Sequence, residues 1–532
     1  MQSLLCLFVL TFLLPTQTIA VISVPPKRPN VLILFADDLG YGDLSSYGHP
    51  TIHTPNLDKL AGNGIRFTQW YSGFHVCTPS RASMMTGRLP VRLGLVGVDE
   101  FGGVLTATSV GGLPSNETTI AESLSDQGYR TKAIGKWHLG ATSEHLPTNH
   151  GFDEYFGIPY STDMGLSAWN NVSNTELMPP LPLIKSKKEQ EPVVLEQPTD
   201  LNKLSDRYTS QALDFIAPKS NVDDQPWFLY FPFNHVHVPD NVSEKFCNST
   251  RRGRFGDALN ELDDVVGKIM SKLAETNQEE NTLVIFTSDN GPWLVEKVSG
   301  GSAGLLREGK QTTWEGGVRV PAIVSMKGSI LPRVDRSVVA TYDIFTTVIN
   351  LAGGEVPKDR VIDGKDLAPL LFDDNYDEKS NEPIHDCIYH YKGSPWEEDC
   401  SHQGCTAGIW SVRCADYKLH YASDDWETAA AGGYETKYDP PLIFNIERDP
   451  SEKYPLSIDS PEWKYANATI QSFVIEHRKT VERVPNQIAR GASPDARVCC
   501  DIYKDCLCNP ENLYDVFVCK PAGEDLIITN YY

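Results

Sequence analysis

Apolar residues fall along the chain in short blocks. VLILFA (31–36), WFLYFPF (227–233) and TLVIFTS (282–288) are near-continuous apolar runs. That is the pattern of strands covered on both faces. TKAIGKW (131–137) reads as a further strand, and Pro232 must sit near the end of its own. Helical spacing lies between these blocks. Asn56–Ile65 follows a Thr-Pro start, and Thr118–Gly128 ends on a glycine stop. Asp257–Glu275 is amphipathic, with Leu259, Leu262, Val265, Val266, Ile269 and Leu273 on one face, and Tyr342–Ala352 adds another helix. Strands alternating with helices predict an α/β fold around a mostly parallel sheet. Past about Leu371 helical periodicity weakens, while cysteines, aromatics and turn residues become frequent. A smaller, antiparallel domain is expected there. Residues 176–200, rich in proline and charge, predict a surface loop or insertion.

At 532 residues, 40% apolar and 22% charged, the chain is long enough for two domains, one of them large. We set them at 21–370 and 371–532, after a leader over 1–20. In that leader the apolar run Leu4–Leu14 is too short to span a bilayer, and small residues precede a cut after Ala20. No later stretch has spanning length, so no transmembrane segment is expected. Five sequons accord with secretory passage, at Asn116, Asn171, Asn241, Asn248 and Asn467. Lys and Arg number 47 against 70 Asp and Glu, a net charge of −23. Such a field disfavours nucleic acid and anionic membrane as partners. It suits a lysosomal compartment, where protonation relieves the repulsion, and an extracellular one equally. Of the 12 cysteines, Cys6 leaves with the leader, so an odd number remains. At least one then stands outside intramolecular disulfides. Cys77 is the natural candidate, far from its nearest mature neighbour, Cys247. The dense set from Cys499 to Cys519 reads as a disulfide-stapled tail.

Each strand breaks off in polar residues: Asp37-Asp38, Lys136 and His138, His235 and His237, Asp289-Asn290. Ligands of open α/β sheets bind just beyond the carboxyl ends of strands, so these residues are brought toward one rim. Three carboxylates and an amide make an oxygen-rich set suited to a hard cation, Ca²⁺ before Mg²⁺. The same aspartates could instead be helix caps or turn formers. Yet two adjacent carboxylates repel unless something positive lies between them. Arg81, Lys136, His138, His237 and Lys310 are the matching cations, and clustered fixed donors imply an anion to hold. For any single lysine, solvated surface charge is the default reading. His235 stands two positions before His237 and can equally be a satisfied structural histidine.

CTPSRASMMTGRLPVRLG (77–94) resembles the signature of the sulfatase family, C-x-P-S-R followed by T-G-R-L. PNVLILFADDLGYGDLSSYGHP (29–50), GKWHLG (135–140), HGFDEYFGIPYS (150–161), TSDNGP (287–292) and GKQTTWEGGVRVPA (309–322) resemble the arylsulfatase A type within it, in the same order. The resemblance implies an alkaline phosphatase-like fold, a large central sheet flanked by helices, and hydrolysis of sulfate esters. It implies that Cys77 becomes formylglycine, with Thr78, Pro79, Ser80 and Arg81 read by the formylglycine-generating enzyme. It implies one calcium ion held by Asp37, Asp38, Asp289, Asn290 and the oxygen at position 77. Arg81 would steady the modified side chain, Lys136 and Lys310 would bind sulfate oxygens with Ser161 and His237, and His138 would act on the formylglycine hydroxyl. His237 is matched in preference to His235, the second choice, because it precedes Val-Pro. One departure stands out. The stretch before Lys310, GGSAGLLREGK, has Ser302 and Glu308 and no cysteine, so a disulfide common in such chains is missing.

Hydrolysis of an anionic ester needs cations to offset charge in the transition state. A hydrated aldehyde offers two hydroxyls on one carbon, one to attack sulfur and one to expel the sulfate afterwards, with His237 and His138 moving protons. The substrates implied are sulfated small molecules, glycolipids or glycans, and a homo-oligomer stays open. Two rivals remain at this stage. One is a phosphatase or phosphodiesterase of the same superfamily, which usually needs two metals and several histidines. The other is an idle matrix protein that binds sulfated glycans.

Overall fold

The computed structural model describes residues 28–97, 103–164, 179–218, 225–373, 382–393, 396, 408–424, 435–496 and 498. The leader, the Asn171 sequon, Cys400, Cys405 and the cysteines from Cys499 onward lie outside them.

Eleven strands form the large sheet: β1 (Asn30–Ala36), β2 (Ile65–Tyr71), β3 (Arg130–Lys136), β4 (Glu154–Ile158), β5 (Leu183–Lys187), β6 (Val193–Glu196), β7 (Trp227–Pro232), β8 (Thr282–Ser288), β9 (Arg319–Ser325), β10 (Arg333–Asp335) and β11 (Val339–Ala340). Their order is β10-β2-β9-β8-β1-β7-β3-β4-β5-β6, with β11 also on β2. The middle run, β8-β1-β7-β3-β4, is parallel throughout. Antiparallel pairing is confined to β2-β9, β8-β9 and the β4-β5-β6 edge.

Strand β1 explains why the middle has to be parallel and covered. All seven of its residues are buried. Val31, Ile33 and Phe35 enter one core, with α2 (Cys77–Thr86), α3 (Ile120–Asp126) and α7 (Asp343–Leu351). Leu32, Leu34 and Ala36 enter the other, with α1 (Pro55–Gly62), α4 (Leu204–Ile216) and α5 (Arg254–Glu275). The two-residue period of a strand thus feeds two helical layers. Short α6 (Glu315–Val318) leads into β9, and α8 (Ala368–Phe372) closes this part of the chain. The fold is the alkaline phosphatase-like α/β class that the sequence implies.

The strands β12 (Cys387–Tyr391), β13 (Ile409–Cys414), β14 (Tyr417–Ser423) and β15 (Thr436–Asn445) form a separate antiparallel sheet, with α9 (Pro461–Arg478) against it. Cys387 and Cys414 sit opposite each other in the β12-β13 register and form a disulfide; Cys247 is disulfide-bonded as well.

Two local expectations are corrected. The helix from Asn56 ends at Gly62, and Ile65 already starts β2. A Cβ at Gly64 would lie 2.4 Å from the Val324 carbonyl, so the turn needs glycine there. Residues 176–200 are not simply a loop, since β5 and β6 form an antiparallel hairpin at the sheet edge. Leu183, Ile184 and Ser186 of β5 are buried while Lys185 and Lys187 are exposed, and β6 forms the edge. Among the described residues, no helix is long and apolar enough to cross a membrane.

Candidate active site

The carboxyl ends of β1, β3, β7 and β8 meet, and the polar residues beyond them interlock. The Asp38 amide donates to Asp289 Oδ1 at 3.0 Å, and the Leu39 amide to Ser288 Oγ at 2.9 Å, tying the β1 and β8 ends together. The Asp37 amide donates to the His235 carbonyl, and Val236 returns a bond to the Asp37 carbonyl, extending the β1-β7 ladder. Asp38 and His138 both take positive φ, +58° and +59°. Such left-handed backbone in non-glycine residues is typical of functional turns.

Helix α2 brings Cys77 to this rim. All ten of its residues are buried, so it presents no face to solvent. Cys77 is its first residue, where backbone N–H groups and the helix dipole favour negative charge. Arg81 follows one turn later on the same face. Fully buried, it donates from Nε and Nη2 to Asp289 Oδ2 (3.0 and 2.7 Å), from Nη2 to Asp37 Oδ1 (3.0 Å) and from Nη1 to the Lys136 carbonyl (3.1 Å). The Cys77 Sγ lies 3.9 Å from Asp38 Oδ1 and 3.9 Å from Lys136 Nζ.

Lys136 Nζ also contacts Asp37 Oδ2 at 2.6 Å and Ser161 Oγ at 3.1 Å. Lys310 Nζ lies 2.7 Å from Asp38 Oδ2. His237 donates from Nδ1 to the Val238 carbonyl at 2.7 Å, which leaves Nε2 facing Asp38 Oδ2 at 3.5 Å. His138 donates from Nε2 to the Leu105 carbonyl, because a carbonyl can only accept. Its Nδ1 is buried without a partner among the described residues. His235 turns away: Nε2 meets Glu261 at 2.8 Å and Ser205 at 3.3 Å. The structure therefore gathers every candidate site residue except His235.

Burial opposes ionisation throughout. At Asp37 the cations Lys136 and Arg81 outweigh it and hold the carboxyl well below its usual range. Asp289 is pushed up to about 6 by burial, with Asp37 and Asp38 adding to the rise against Arg81. The Cys77 thiol is driven well above its ordinary value by burial, against Lys136 and Lys310. His138 is driven well below its own by burial and the same cations, Lys136 and Arg81. Donor atoms of Asp37, Cys77 and Asp289 lie within 4.8 Å of one another, as do those of Asp38, Cys77 and His237. Asn290 donates to Asp38 Oδ1 at 2.7 Å, but its own Oδ1 is buried without a partner among the described residues.

The loop before Lys310 holds its shape without the disulfide. Ser302 accepts from the Gly42 amide, the Lys310 amide donates to the Pro292 carbonyl, and Arg307 stacks on Trp314. Trp293 was missed by sequence reasoning, yet its ring meets both His237 and Lys310. Its place directly after TSDNGP is the sequence signal that points to it. Among the sequons, Asn116 and Asn248 are exposed and Asn467 is half-buried. Asn241 is buried, with its amide donating to Asn202.

The sulfatase profile matches residues 29–354, and a profile for the C-terminal region of aryl-sulfatase matches 383–508. Arylsulfatase A of Bos taurus is 40% identical over 496 residues, covering 89% of this chain and 92% of that protein. N-acetylgalactosamine-6-sulfatase of Homo sapiens is 34% identical, covering 92% and 93%. Among solved structures, the PsFucS1 sulfatase from Pseudoalteromonas sp. superposes with a TM-score of 0.73 at 30% identity, over 86% of this chain and 92% of that one. With both halves of the chain matched and the strand-end cluster assembled in one place, the chain belongs to the sulfatase family and is a sulfate ester hydrolase.

Proposed function

We propose that the chain hydrolyses the sulfate ester of a glycolipid or glycan, using a formylglycine made from Cys77 by the formylglycine-generating enzyme and one bound calcium ion. The observation that carries this reading is the setting of Cys77, buried between the Asp38 carboxylate and the Lys136 ammonium. As a thiol it stays protonated there and is a poor nucleophile.

The donor set fits a hard cation. Asp37, Asp38, Asp289 and Asn290 offer oxygen donors, Asn290 Oδ1 has no partner among the described residues, and the crowding that raises Asp289 is what a divalent ion would relieve. Bound there, calcium supplies positive charge beside the ester. A formylglycine hydrate supplies a hydroxyl to attack and a second to release the sulfate.

The remaining work falls to the chain's own side chains. Lys136 and Lys310 bind the sulfate oxygens, and Ser161 holds the Lys136 ammonium in place. His237, its Nδ1–H committed to the Val238 carbonyl, takes a second proton on Nε2, facing Asp38, and as imidazolium passes it to the departing alcohol. His138, neutral and with a free Nδ1 lone pair, takes a proton from the residue at position 77. Arg81 fixes Asp37 and Asp289 so that neither carboxylate drifts. The enzyme works in the secretory pathway's lysosomal or extracellular endpoint.

Mass spectrometry of the peptide holding Cys77, from active protein made in a secretory host, tests this. We expect the aldehyde mass, and no sulfate release from Cys77→Ala. Full activity with an unmodified thiol overturns the reading.

A further inference from the structure

Beside the sulfate-binding cations stands a side chain the mechanism leaves unused. Trp293 is half-buried, with its ring centroid 4.4 Å from Lys310 Nζ and 5.3 Å from the His237 ring. It is held firmly. The Lys310 amide donates to the Pro292 carbonyl, the Glu296 amide donates to the Trp293 carbonyl, and a Cβ at Gly300 would lie 2.0 Å from that same carbonyl. Yet Trp293 Nε1 is buried with no hydrogen-bond partner among the described residues. A buried indole N–H normally finds an acceptor.

A complementary atom stands on a turn bonded to the residue after His237. Asp163 is 6% exposed, and its Oδ1 is likewise buried without a partner among the described residues. It sits two residues beyond Ser161, which contacts Lys136, and Thr162 between them donates to the Val238 carbonyl. That bond pins the turn against His237. Burial raises the Glu296 carboxyl; His237 and Lys310 act against the rise and Asp163 and Asp240 add to it, so these five share one electrostatic neighbourhood.

We propose that Trp293 and Asp163 are specificity-determining residues that bind the alcohol half of the ester. Trp293 packs its ring on a sugar face and donates Nε1–H to a hydroxyl, and Asp163 accepts from another hydroxyl of the same group. The inference rests on Lys136, Lys310 and His237 binding the sulfate, as set out above. One unpaired donor and one unpaired acceptor suit a hydroxyl-rich alcohol, a sulfated sugar. A flat aryl alcohol would leave both unpaired, and sites built for hydroxyls reject analogues that lack them.

The test compares kcat/KM for a galactose monosulfate and for phenyl sulfate, which has no hydroxyl, in the full-length modified enzyme. Trp293→Phe keeps the ring and removes the N–H. The sugar-to-aryl ratio should fall about tenfold, mainly through KM. Asp163→Asn should lower the same ratio, and thermal melting reports that both variants fold. A ratio unchanged in both variants, with the two esters losing rate alike, makes Trp293 a mere prop for Lys310 and His237 and overturns the inference. So does a wild type that turns over only the aryl ester. Lys310→Ala with undiminished activity on both esters overturns the underlying sulfate-binding reading instead.

Discussion

Arg81 spends two of its donors on a single oxygen: Nε and Nη2 both reach Asp289 Oδ2, at 3.0 and 2.7 Å. The same Nη2 reaches Asp37 Oδ1 at 3.0 Å. One fork therefore locks the end of β1 to the end of β8 from a helix that starts at Cys77. A lysine supplies the charge but not the planar fork.

Arg81→Lys should thus cost more than a charge-conserving change usually does. It leaves Asp289 facing Asp37 and Asp38 with its main counter-charge weakened, and breaking a buried pair costs about 3–5 kcal/mol. We expect a melting temperature lowered by several degrees together with near-complete loss of sulfate release. A variant as stable as wild type would show that the pair contributes no net stability.

Calcium should matter to stability as well as to rate. A ligand that binds only the folded chain adds about 2.7 kcal/mol when present at about 100 times its Kd. Chelation should lower the melting temperature, and calcium should restore it. Asn290→Ala, which deletes the unpartnered Oδ1, should shrink that calcium-dependent shift. Identical melting curves in chelator and in calcium would count against a bound ion.

Much of this site could be read in the chain because the central strands are covered on both faces. An apolar run such as VLILFA has no other place to go, and whatever ends it must lie at the sheet rim. The split of the histidine pair was not legible: in a strand i and i+2 share a face, but β7 ends at Pro232 and the turn that follows sends His235 to Glu261 and His237 toward Asp38. Helix α2 was not legible, since a helix buried all round carries no 3.6-residue alternation of polar and apolar positions. The β5-β6 hairpin was hidden because its strands are only five and four residues long and lie among prolines and charges that read as loop. Trp293 escaped because its partners come from segments joined only by the tertiary fold.

The loop before Lys310 relies on close backbone contact in place of a disulfide. A Cβ on Gly42 would lie 2.5 Å from the Gly304 nitrogen, and the Gly42 amide donates to Ser302. Gly42→Ala should push this loop outward at a cost of about 1–3 kcal/mol. Because the loop leads into Lys310, KM should rise more than kcat falls. Steady-state kinetics would expose the error if kcat alone changed.

The seam between the two sheets gives a pH prediction. Glu315, fully buried at the start of α6, meets Lys418 of β14 at 2.9 Å, the Tyr71 hydroxyl at 2.9 Å and Arg319 at 3.2 Å. Burial alone would raise its carboxyl, but Lys418 and Arg319 prevail and lower it to about 2. A depressed carboxyl stabilises the fold above its unfolded value near 4.5, and the contribution fades as pH falls toward 2. The shift corresponds to on the order of 3 kcal/mol. At a mildly acidic pH of about 5 the seam therefore keeps nearly all of it. Glu315→Gln should lower stability at about pH 7 and at about pH 5 by similar amounts, and the gap should close only under stronger acid. Melting curves of both proteins across that range decide the matter: a gap that closed already near neutrality would mean that histidines, and not Glu315, govern the seam.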